Sequence, residues 1–264
     1  MNFKFLFAAT ALVLAACAKD ANNTGSVTAQ PASQVGVFGG DDVNPNDIVA
    51  RTTVGLYNSR VGFICTGSLY GSNMILTAGH CLEGAPQDLE VRFGVDMRAP
   101  LFVRAVIAGK RSPLYTGKIG PNMADIAVLK YEGTIPTEYG FRSVNLLKDY
   151  RLLNKGTDIV AAGYGIKGPT MGHGSGTLRK VTLEVQNPNY SLTEMSVNQG
   201  VFKGVCNGDS GGPAFLKGTD GNLYLWGLTS NGAGIPKVRA CMFRSVFTRV
   251  DAYIPWILEL ARTL

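Results

Sequence analysis

The sequence has very little histidine and lacks the cysteine pairs typical of a metal site. His80 and His173 are its only histidines, and none of its five cysteines stands in a C-x-x-C pair. The spacing of metal ligands is therefore absent, and we predict no metal site and no other cofactor. His173 lies in the glycine-rich stretch 172–176, which is typical of an exposed loop.

Clustered positive charge is also missing. Lys and Arg number 25 against 19 Asp and Glu, which gives a formal net charge of +6, but the basic residues form no continuous run. An excess spread in this way is typical of a solvated surface, so we expect no binding to nucleic acid.

Helical patterns are few. The 33 glycines and several short apolar stretches predict an all-β chain of short strands; examples are residues 74–77, 89–93, 126–129 and 159–162. One helix is predicted at the C-terminus, where Asp251 can cap a segment over Ala252–Leu264 that carries an apolar stripe. Pro255 falls near the first turn of that helix, where proline is tolerated.

One serine stands in a turn suited to nucleophilic catalysis. Ser210 lies in the run CNGDSGGP at residues 206–213. Glycines on both sides allow a sharp turn that exposes the hydroxyl while neighbouring N–H groups point at a developing oxyanion. The same glycines also match the looser G-x-S-x-G turn of α/β-hydrolases, but that fold places its histidine after the serine. Both histidines here precede Ser210, which argues against it.

Two further motifs complete a candidate catalytic set. His80 lies in the run LTAGHC at residues 76–81, and Asp125 lies in NMADIAVLK at residues 122–130. The apolar run after Asp125 is suited to a buried strand, so its carboxylate can be held away from water beside an imidazole. The chain order is therefore His, Asp, Ser.

These motifs and their order resemble the chymotrypsin-fold (trypsin-like) serine proteases, from about Val37 to the C-terminus. The resemblance implies two packed six-stranded antiparallel β-barrels with a C-terminal helix and a catalytic cleft between the barrels. It implies that Ser210 is the nucleophile, that His80 is the base and that Asp125 orients the imidazole. The N–H groups of Gly208 and Ser210 would form the oxyanion hole.

The resemblance also implies a substrate pocket. Gly204 would lie at its base, Ser245 on one wall, and Ser230, Asn231 and Gly232 on the strand that pairs with substrate. No acid occupies the base, so an Arg or Lys side chain at P1 has no charge partner. The small residues leave an open slot, which favours a medium or large apolar P1 side chain.

The run VFGG at residues 37–40 resembles the start of mature proteases of this family. There, cleavage frees an apolar N-terminus that inserts and pairs with the aspartate before the serine, here Asp209. The sequence departs from that pattern at Gly36, where the family has Arg or Lys. Activation by a different protease, or activity without a cut, both stay open.

The first residues are predicted to be a leader. Lys4 supplies a charged region and residues 5–16 an apolar core too short to span a bilayer. Residues 14–17, LAAC, resemble a bacterial lipoprotein box, which would make residues 1–16 a signal peptide and Cys17 a lipidated first residue. An ordinary leader cut nearby is the alternative. Residues 17–36 are rich in small polar residues and are predicted to be a flexible tether or a propeptide.

The lipid anchor would attach the enzyme to a bacterial cell envelope. Ala18 lacks the aspartate associated with retention in the inner membrane, which favours the outer membrane; cutting the tether would make the protein periplasmic or secreted. Removing Cys17 leaves four cysteines, and the resemblance pairs Cys65 with Cys81 and Cys206 with Cys241. Disulfides imply an oxidising compartment, so we predict an exported protein.

We therefore predict a serine endopeptidase at residues 37–264, monomeric, with polypeptide substrates. Two alternatives come from other classes. One is a surface-anchored binding protein that keeps the protease fold without catalysis, which the complete set of three residues argues against. The other is an esterase that uses the same three residues.

Overall fold

The computed structural model describes residues 37–167, 174–200, 203–232, 241 and 243–264. The predicted leader, the predicted tether with Cys17, and His173 lie outside the described residues. Within the described ranges, no helix has both the length and the apolar character needed to cross a bilayer.

Short strands account for most of the regular structure, as the sequence predicted. They are β1 (Asp41–Asp42), β2 (Thr53–Asn58), β3 (Phe63–Tyr70), β4 (Met74–Thr77), β5 (Leu89–Phe93), β6 (Phe102–Arg111), β7 (Ala127–Tyr131), β8 (Asn145–Leu146), β9 (Asp158–Gly163), β10 (Arg179–Asn187), β11 (Glu194–Gln199), β12 (Pro213–Lys217), β13 (Leu223–Gly232) and β14 (Phe243–Arg249).

The first barrel closes in the strand order β2-β3-β4-β7-β6-β5, with every pair antiparallel. Alternation of buried and half-buried residues along β5 turns Leu89, Val91 and Phe93 inward, as expected for a strand with one face on a core. Phe93 packs edge-on against Tyr131, with ring centroids 5.7 Å apart. This interior is a largely apolar core that stabilises the barrel.

The second barrel closes in the order β9-β10-β11-β14-β13-β12, and β12 returns to β9. Strand β1 adds to β10, and β8 adds to β13 in parallel, both outside the closed ring. Trp226 and Phe247 fill the interior with ring centroids 5.6 Å apart. Full burial of such a side chain contributes roughly 1.5–3 kcal/mol. The predicted pair of six-stranded barrels is thus confirmed.

An apolar cluster joins the two barrels. It brings Leu76 and Val128 of the first barrel against Phe215 and Leu228 of the second, and Ile257 of the C-terminal helix packs on the same cluster. The last residue of β4, Thr77, pairs with the first residue of β7, Ala127, at this seam. His80, just after β4, and Asp125, just before β7, therefore both lie where the barrels meet.

The helices differ in two details from the sequence analysis. Helix α1 (Ile48–Thr52), capped by the Asp47 carboxylate, was not predicted because five residues carry no helical period. Helix α2 (Ile254–Thr263) begins two residues later than predicted, after a 3₁₀ turn at Asp251–Tyr253. The Asp251 carboxylate does not cap it, because Arg249 holds that carboxylate at 2.6 Å.

Candidate active site

His80 and Asp125 meet at the seam between the barrels. His80 lies in a 3₁₀ turn directly after β4, and Asp125 lies two residues before β7, the partner of β4. The His80 ring Nδ1 is 2.8 Å from Asp125 Oδ2, and the His80 backbone N–H donates to Oδ1 at 2.9 Å. Two hydrogen bonds to the two carboxylate oxygens fix the imidazole relative to the acid.

The Asp125 carboxylate is fully buried and is held ionised by hydrogen bonds. Burial alone would raise its pKa, but the ring hydrogen bond and charge of His80, the Ser230 hydroxyl and the His80 backbone N–H outweigh burial and lower the pKa. An ionised acid beside Nδ1 favours a proton on that nitrogen, so Nε2 is left as the basic nitrogen.

The second barrel supplies two further contacts to Asp125. The Ser230 hydroxyl on β13 donates to Asp125 Oδ2 at 2.6 Å, and the Thr248 hydroxyl on β14 donates to the Asp125 carbonyl at 3.0 Å. The sequence analysis placed Ser230 only on the substrate strand and did not find Thr248. No local pattern marks either contact, because both join residues distant in the chain.

Ser210 lies in a turn held between the two barrels. Its carbonyl accepts from the Thr66 N–H of the first barrel at 2.8 Å, and the next residue, Gly211, donates to the Thr229 carbonyl of the second at 2.7 Å. Gly211 has a φ of +75°, and a Cβ there would lie 2.6 Å from the Thr66 carbonyl oxygen. Only glycine fits this position.

The Ser210 hydroxyl makes no hydrogen bond within the described part of the chain, and the side chain is half-buried. The structure therefore brings Ser210 to the same seam as His80 and Asp125 but without a hydrogen bond from its hydroxyl to His80. In proteins without substrate such catalytic contacts are often long and tighten on binding.

The N–H groups of Gly208 and Ser210 are directed by their peptide planes. The Asn207 carbonyl accepts from Ile166 N–H at 2.9 Å, and the Asp209 carbonyl accepts from Gly212 N–H at 2.8 Å. In a trans peptide the N–H points opposite to the carbonyl of the same peptide. Because these two carbonyls point at their hydrogen-bond donors, the N–H groups of Gly208 and Ser210 point away from those donors. Neither N–H donates to a described residue. They can serve as donors to a bound oxyanion.

Asp209 is a second buried carboxylate, with a different environment. Its two oxygens accept from Gly165 N–H and Cys206 N–H, each at 2.8 Å. A Cβ on Gly165 would lie 2.6 Å from Asp209 Cγ, so the glycine permits the close approach. Burial raises the pKa of Asp209 to about 7, because these two N–H groups and the more distant charge of Arg179 do not offset it.

Val37 lies deep in the second barrel. Its side chain is fully buried among residues that include Ala161 and Val205, and Gly204 N–H donates to the carbonyl of the next residue, Phe38, at 2.6 Å. The segment that resembles a mature N-terminus is thus inserted while the chain is continuous. In the continuous chain its nitrogen is an amide and carries no charge.

The predicted pocket residues converge at one end of three strands. Gly232 on β13 pairs with Ser245 on β14, and Ser245 pairs with Val197 on β11. Gln199, two residues after Val197 on β11, lies against Gly204. A Cβ built on Gly204 would lie 2.5 Å from the Gln199 Cδ. Ser230 and Asn231 lie further back along β13, and the Asn231 amide donates to the Ser230 hydroxyl at 3.1 Å.

Gln199 is a residue that the sequence analysis missed. Its side chain is 2% exposed and fills the space beside Gly204 that the sequence analysis left as an open slot. Its carbonyl oxygen accepts from the Val205 N–H, whereas its Nε2 has no hydrogen-bond partner in the described chain. The surroundings of Gly204, the predicted base of the pocket, therefore include an uncharged polar side chain.

The four remaining cysteines are joined in the pairs that the resemblance implies, Cys65 with Cys81 and Cys206 with Cys241. Cys65, Cys81 and His80 also lie close enough together to suggest a metal site. The two sulfurs are bonded to each other, however, and a disulfide offers no thiolate to a metal. The first bridge instead fastens the turn that carries His80 to β3.

Comparison with known proteins identifies relatives along the described chain. The family model described as Trypsin matches residues 37–257. The chain is 29% identical to "Trypsin Blo t 3" of Blomia tropicalis over 97% of both chains. It is 24% identical to "Chymotrypsin" of Phaedon cochleariae, covering 84% of this chain and 80% of that one. It is 29% identical to "CLIP domain-containing serine protease B4" of Anopheles gambiae, of which it spans 63%.

The buried Asp209 predicts a stability that falls with rising pH. The folded chain keeps the Asp209 proton to about pH 7, whereas the unfolded chain releases it near pH 4. Between these values the folded state binds one more proton, so the free energy of unfolding should fall by about 1.4 kcal/mol per pH unit from this group.

Urea unfolding of the intact chain from pH 4 to pH 8, in the Ser210→Ala background to prevent self-cleavage, measures this slope. Asp209→Asn should flatten it, while Asp158→Asn at an exposed position should not. Identical slopes in the Asp209→Asn and parent proteins would contradict the assignment.

Proposed function

Since the chain belongs to the trypsin family of serine proteases, we propose that it is an endopeptidase that uses Ser210, His80 and Asp125. The observation that carries the proposal is the 2.8 Å contact between His80 Nδ1 and Asp125 Oδ2, at the seam that also holds the Ser210 turn. The order of the three residues and the two outward N–H groups support the same chemistry.

The proposed reaction proceeds through an acyl-enzyme. Ser210 Oγ attacks the carbonyl carbon of the scissile bond as its proton passes to His80 Nε2. Charge on the former carbonyl oxygen is stabilised by the N–H groups of Gly208 and Ser210. The C–N bond then breaks as His80 protonates the amine, and water deprotonated by His80 releases the acyl group from Ser210.

The proposed P1 side chain is uncharged. Gly204 carries no acid, and Gln199 fills the space beside it, so the described residues offer no carboxylate there for Arg or Lys. We keep an apolar P1 side chain as the proposal, with the carboxamide of Gln199 as a polar boundary at its end. The relatives include both a trypsin and a chymotrypsin, so they do not distinguish a charged from an apolar P1 side chain.

Activation by a cut after Gly36 is the proposed regulatory step. A new ammonium at Val37 would supply the cation that Asp209 lacks in the continuous chain, and pairing would lower the pKa of Asp209. Support comes from the buried position of Val37 and from the raised pKa of Asp209, whose carboxylate has the distant charge of Arg179 but no hydrogen bond from a cation in the described chain. Under this proposal the protease domain spans residues 37–264.

Export is proposed from the leader and the two disulfides. We further propose cleavage after residue 16, lipidation of Cys17 and a tether over residues 17–36, which would place the protein in a bacterial envelope. The lipid part rests on residues 14–17 alone, because the relatives are arthropod proteases and lend it no support.

The catalytic proposal predicts that Ser210→Ala, His80→Ala and Asp125→Asn each lower kcat on a peptide substrate by on the order of 10⁴-fold. The double variants should lose little more than the singles, because the three residues act as a unit. His173→Ala, which removes the only other histidine, is the matched control and should retain turnover.

Near-normal turnover by His80→Ala would reject His80 as the base. Hydrolysis of esters with no measurable amide hydrolysis would favour an esterase. A wild-type chain that neither turns over nor reacts with a fluorophosphonate at Ser210 would favour a binding protein.

The activation proposal predicts that a form beginning at Val37 turns over about 10²-fold faster than one beginning at Cys17, because its ammonium orders the oxyanion donors. Both forms are assayed with and without Asp209→Asn, which should remove the advantage of the Val37 form. Equal rates for the two starts, with Asp209→Asn harmless in both, would reject activation by insertion.

The anchor proposal predicts an acylated Cys17 at the mature N-terminus when the full chain is expressed in a bacterium with two membranes. Mass spectrometry of the purified protein tests this. Cys17→Ser should release the protein from the membrane fraction, and Ala18→Asp should move it to the inner membrane. An unmodified N-terminus elsewhere in the leader contradicts lipidation.

A further inference from the structure

Glu194 is a buried carboxylate outside the three proposed catalytic residues. It is the first residue of β11 and is 1% exposed. Arg249, which donates to the Leu192 carbonyl two residues away, is paired with Asp251 instead. A carboxylate in such surroundings must be satisfied by hydrogen-bond donors, because burying it without partners is strongly unfavourable.

The donors to Glu194 come from two segments. The Ser191 hydroxyl donates to Oε2 and the Thr193 hydroxyl to Oε1 at 2.9 Å, both from the turn that leads into β11. The other two donors are backbone N–H groups of the segment before β7: Asn122 donates to Oε2 at 2.7 Å and Ala124 to Oε1 at 3.3 Å. One side chain of the second barrel therefore holds a loop of the first.

The held loop has an unfavourable backbone conformation. Asn122 has a φ of +58° and Ala124 a φ of +56°, values in the left-handed region where the Cβ of a non-glycine residue is strained. Asparagine tolerates this region better than alanine does. Such conformations persist only where the surroundings impose them, and Glu194 bonds the N–H of both residues.

Asp125 follows Ala124 directly, so the direction in which its carboxylate leaves the chain depends on the Ala124 backbone. Thr248, the register partner of Glu194 across β11 and β14, donates to the Asp125 carbonyl at 3.0 Å. The main chain before Asp125 is thus bonded to Glu194 through the Ala124 N–H, and the main chain after the Asp125 Cα is bonded to Thr248 through the Asp125 carbonyl. Glu194 and Thr248 are neighbours in the second barrel.

We propose that Glu194 is a positioning residue that holds Ala124 in its left-handed conformation and thereby aims the Asp125 carboxylate at His80. The proposal rests on the proposed function, in which Asp125 orients the His80 imidazole. Glu194 itself touches neither substrate nor His80 in this account. Its loss should affect the rate of the chemical step and leave substrate binding largely unchanged.

Kinetics of Glu194→Ala and Glu194→Gln test the proposal. Glu194→Ala should lower kcat by about 10–100-fold, the scale expected for a misplaced catalytic group, with KM within about twofold of wild type. Glu194→Gln, which keeps one acceptor oxygen, should lose less. Val185→Ala, a truncation at a buried position on β10, serves as the control for a loss of stability alone and should keep kcat per folded molecule.

A rescue variant separates positioning from general damage. Glycine adopts a positive φ without strain. Adding Ala124→Gly to Glu194→Ala should therefore raise kcat at least about fivefold above that of Glu194→Ala alone, whereas Ala124→Gly in the wild type should change kcat little. This double-mutant cycle measures coupling between the two positions. If Glu194→Ala does not fold, the cycle is run with Glu194→Gln, whose shape is nearly unchanged.

A readout that needs no turnover is the low-field proton resonance of the His80 Nδ1–H donated to Asp125, a charge-assisted hydrogen bond. It should be present in the wild type and in Val185→Ala and be weakened or lost in the Glu194 variants. Retained resonance with kcat within twofold of wild type in both Glu194 variants would overturn the proposal.

The proposal would also be overturned if Val185→Ala lowered kcat as much as Glu194→Ala at equal stability. The same holds if adding Ala124→Gly did not raise the kcat of Glu194→Ala. If the wild type itself shows no Ser210-dependent hydrolysis, the proposed function fails, and the resonance still decides whether Glu194 positions Asp125.

Discussion

The buried Asp125 carboxylate is the constraint on which the site depends. An ionised acid without solvent needs hydrogen bonds to each oxygen, and these come from both barrels. His80 beside the first barrel binds both oxygens, and Ser230 on the second adds a third bond. Because the donors lie on different barrels, the carboxylate is fully satisfied only when the barrels are packed in one arrangement. Folding of the seam and construction of the site are therefore the same event.

The described residues include three buried carboxylates, and each has a different environment. Asp125 is bonded to an imidazole and a hydroxyl and has a lowered pKa. Asp209 receives two backbone N–H groups and no close cation, and its pKa rises to about 7. Glu194 receives two hydroxyls and two backbone N–H groups. Residues with positive φ lie next to two of these acids in the chain, Ala124 before Asp125 and Gly208 before Asp209, and Glu194 accepts from the N–H groups of two more, Asn122 and Ala124.

The serine turn shows the same dependence on both barrels. Thr66 of β3 bonds the Ser210 carbonyl through its N–H and the Gly208 carbonyl through its hydroxyl, at 2.8 and 3.0 Å. Thr229 of β13 bonds the main chain on the other side of Ser210. The proposed nucleophile thus lies on a loop whose two halves are bonded to different barrels, at the kind of interface where binding sites preferentially occur.

The sequence by itself determined the elements that depend on local patterns. Short alternating strands, the C-terminal helix and the order His80, Asp125, Ser210 could all be read from nearest neighbours and motif order. The tertiary structure alone decided which side chains support those three residues: Ser230 reaches Asp125 across 105 positions and Glu194 reaches Asn122 across 72. It also packed Gln199 against Gly204, where the sequence predicted an open slot, and paired the Asp251 carboxylate with Arg249 instead of with the helix N-terminus. A local pattern records periodicity and turn chemistry, whereas these contacts depend on strand register and on the packing of two barrels, which no segment of the chain encodes alone.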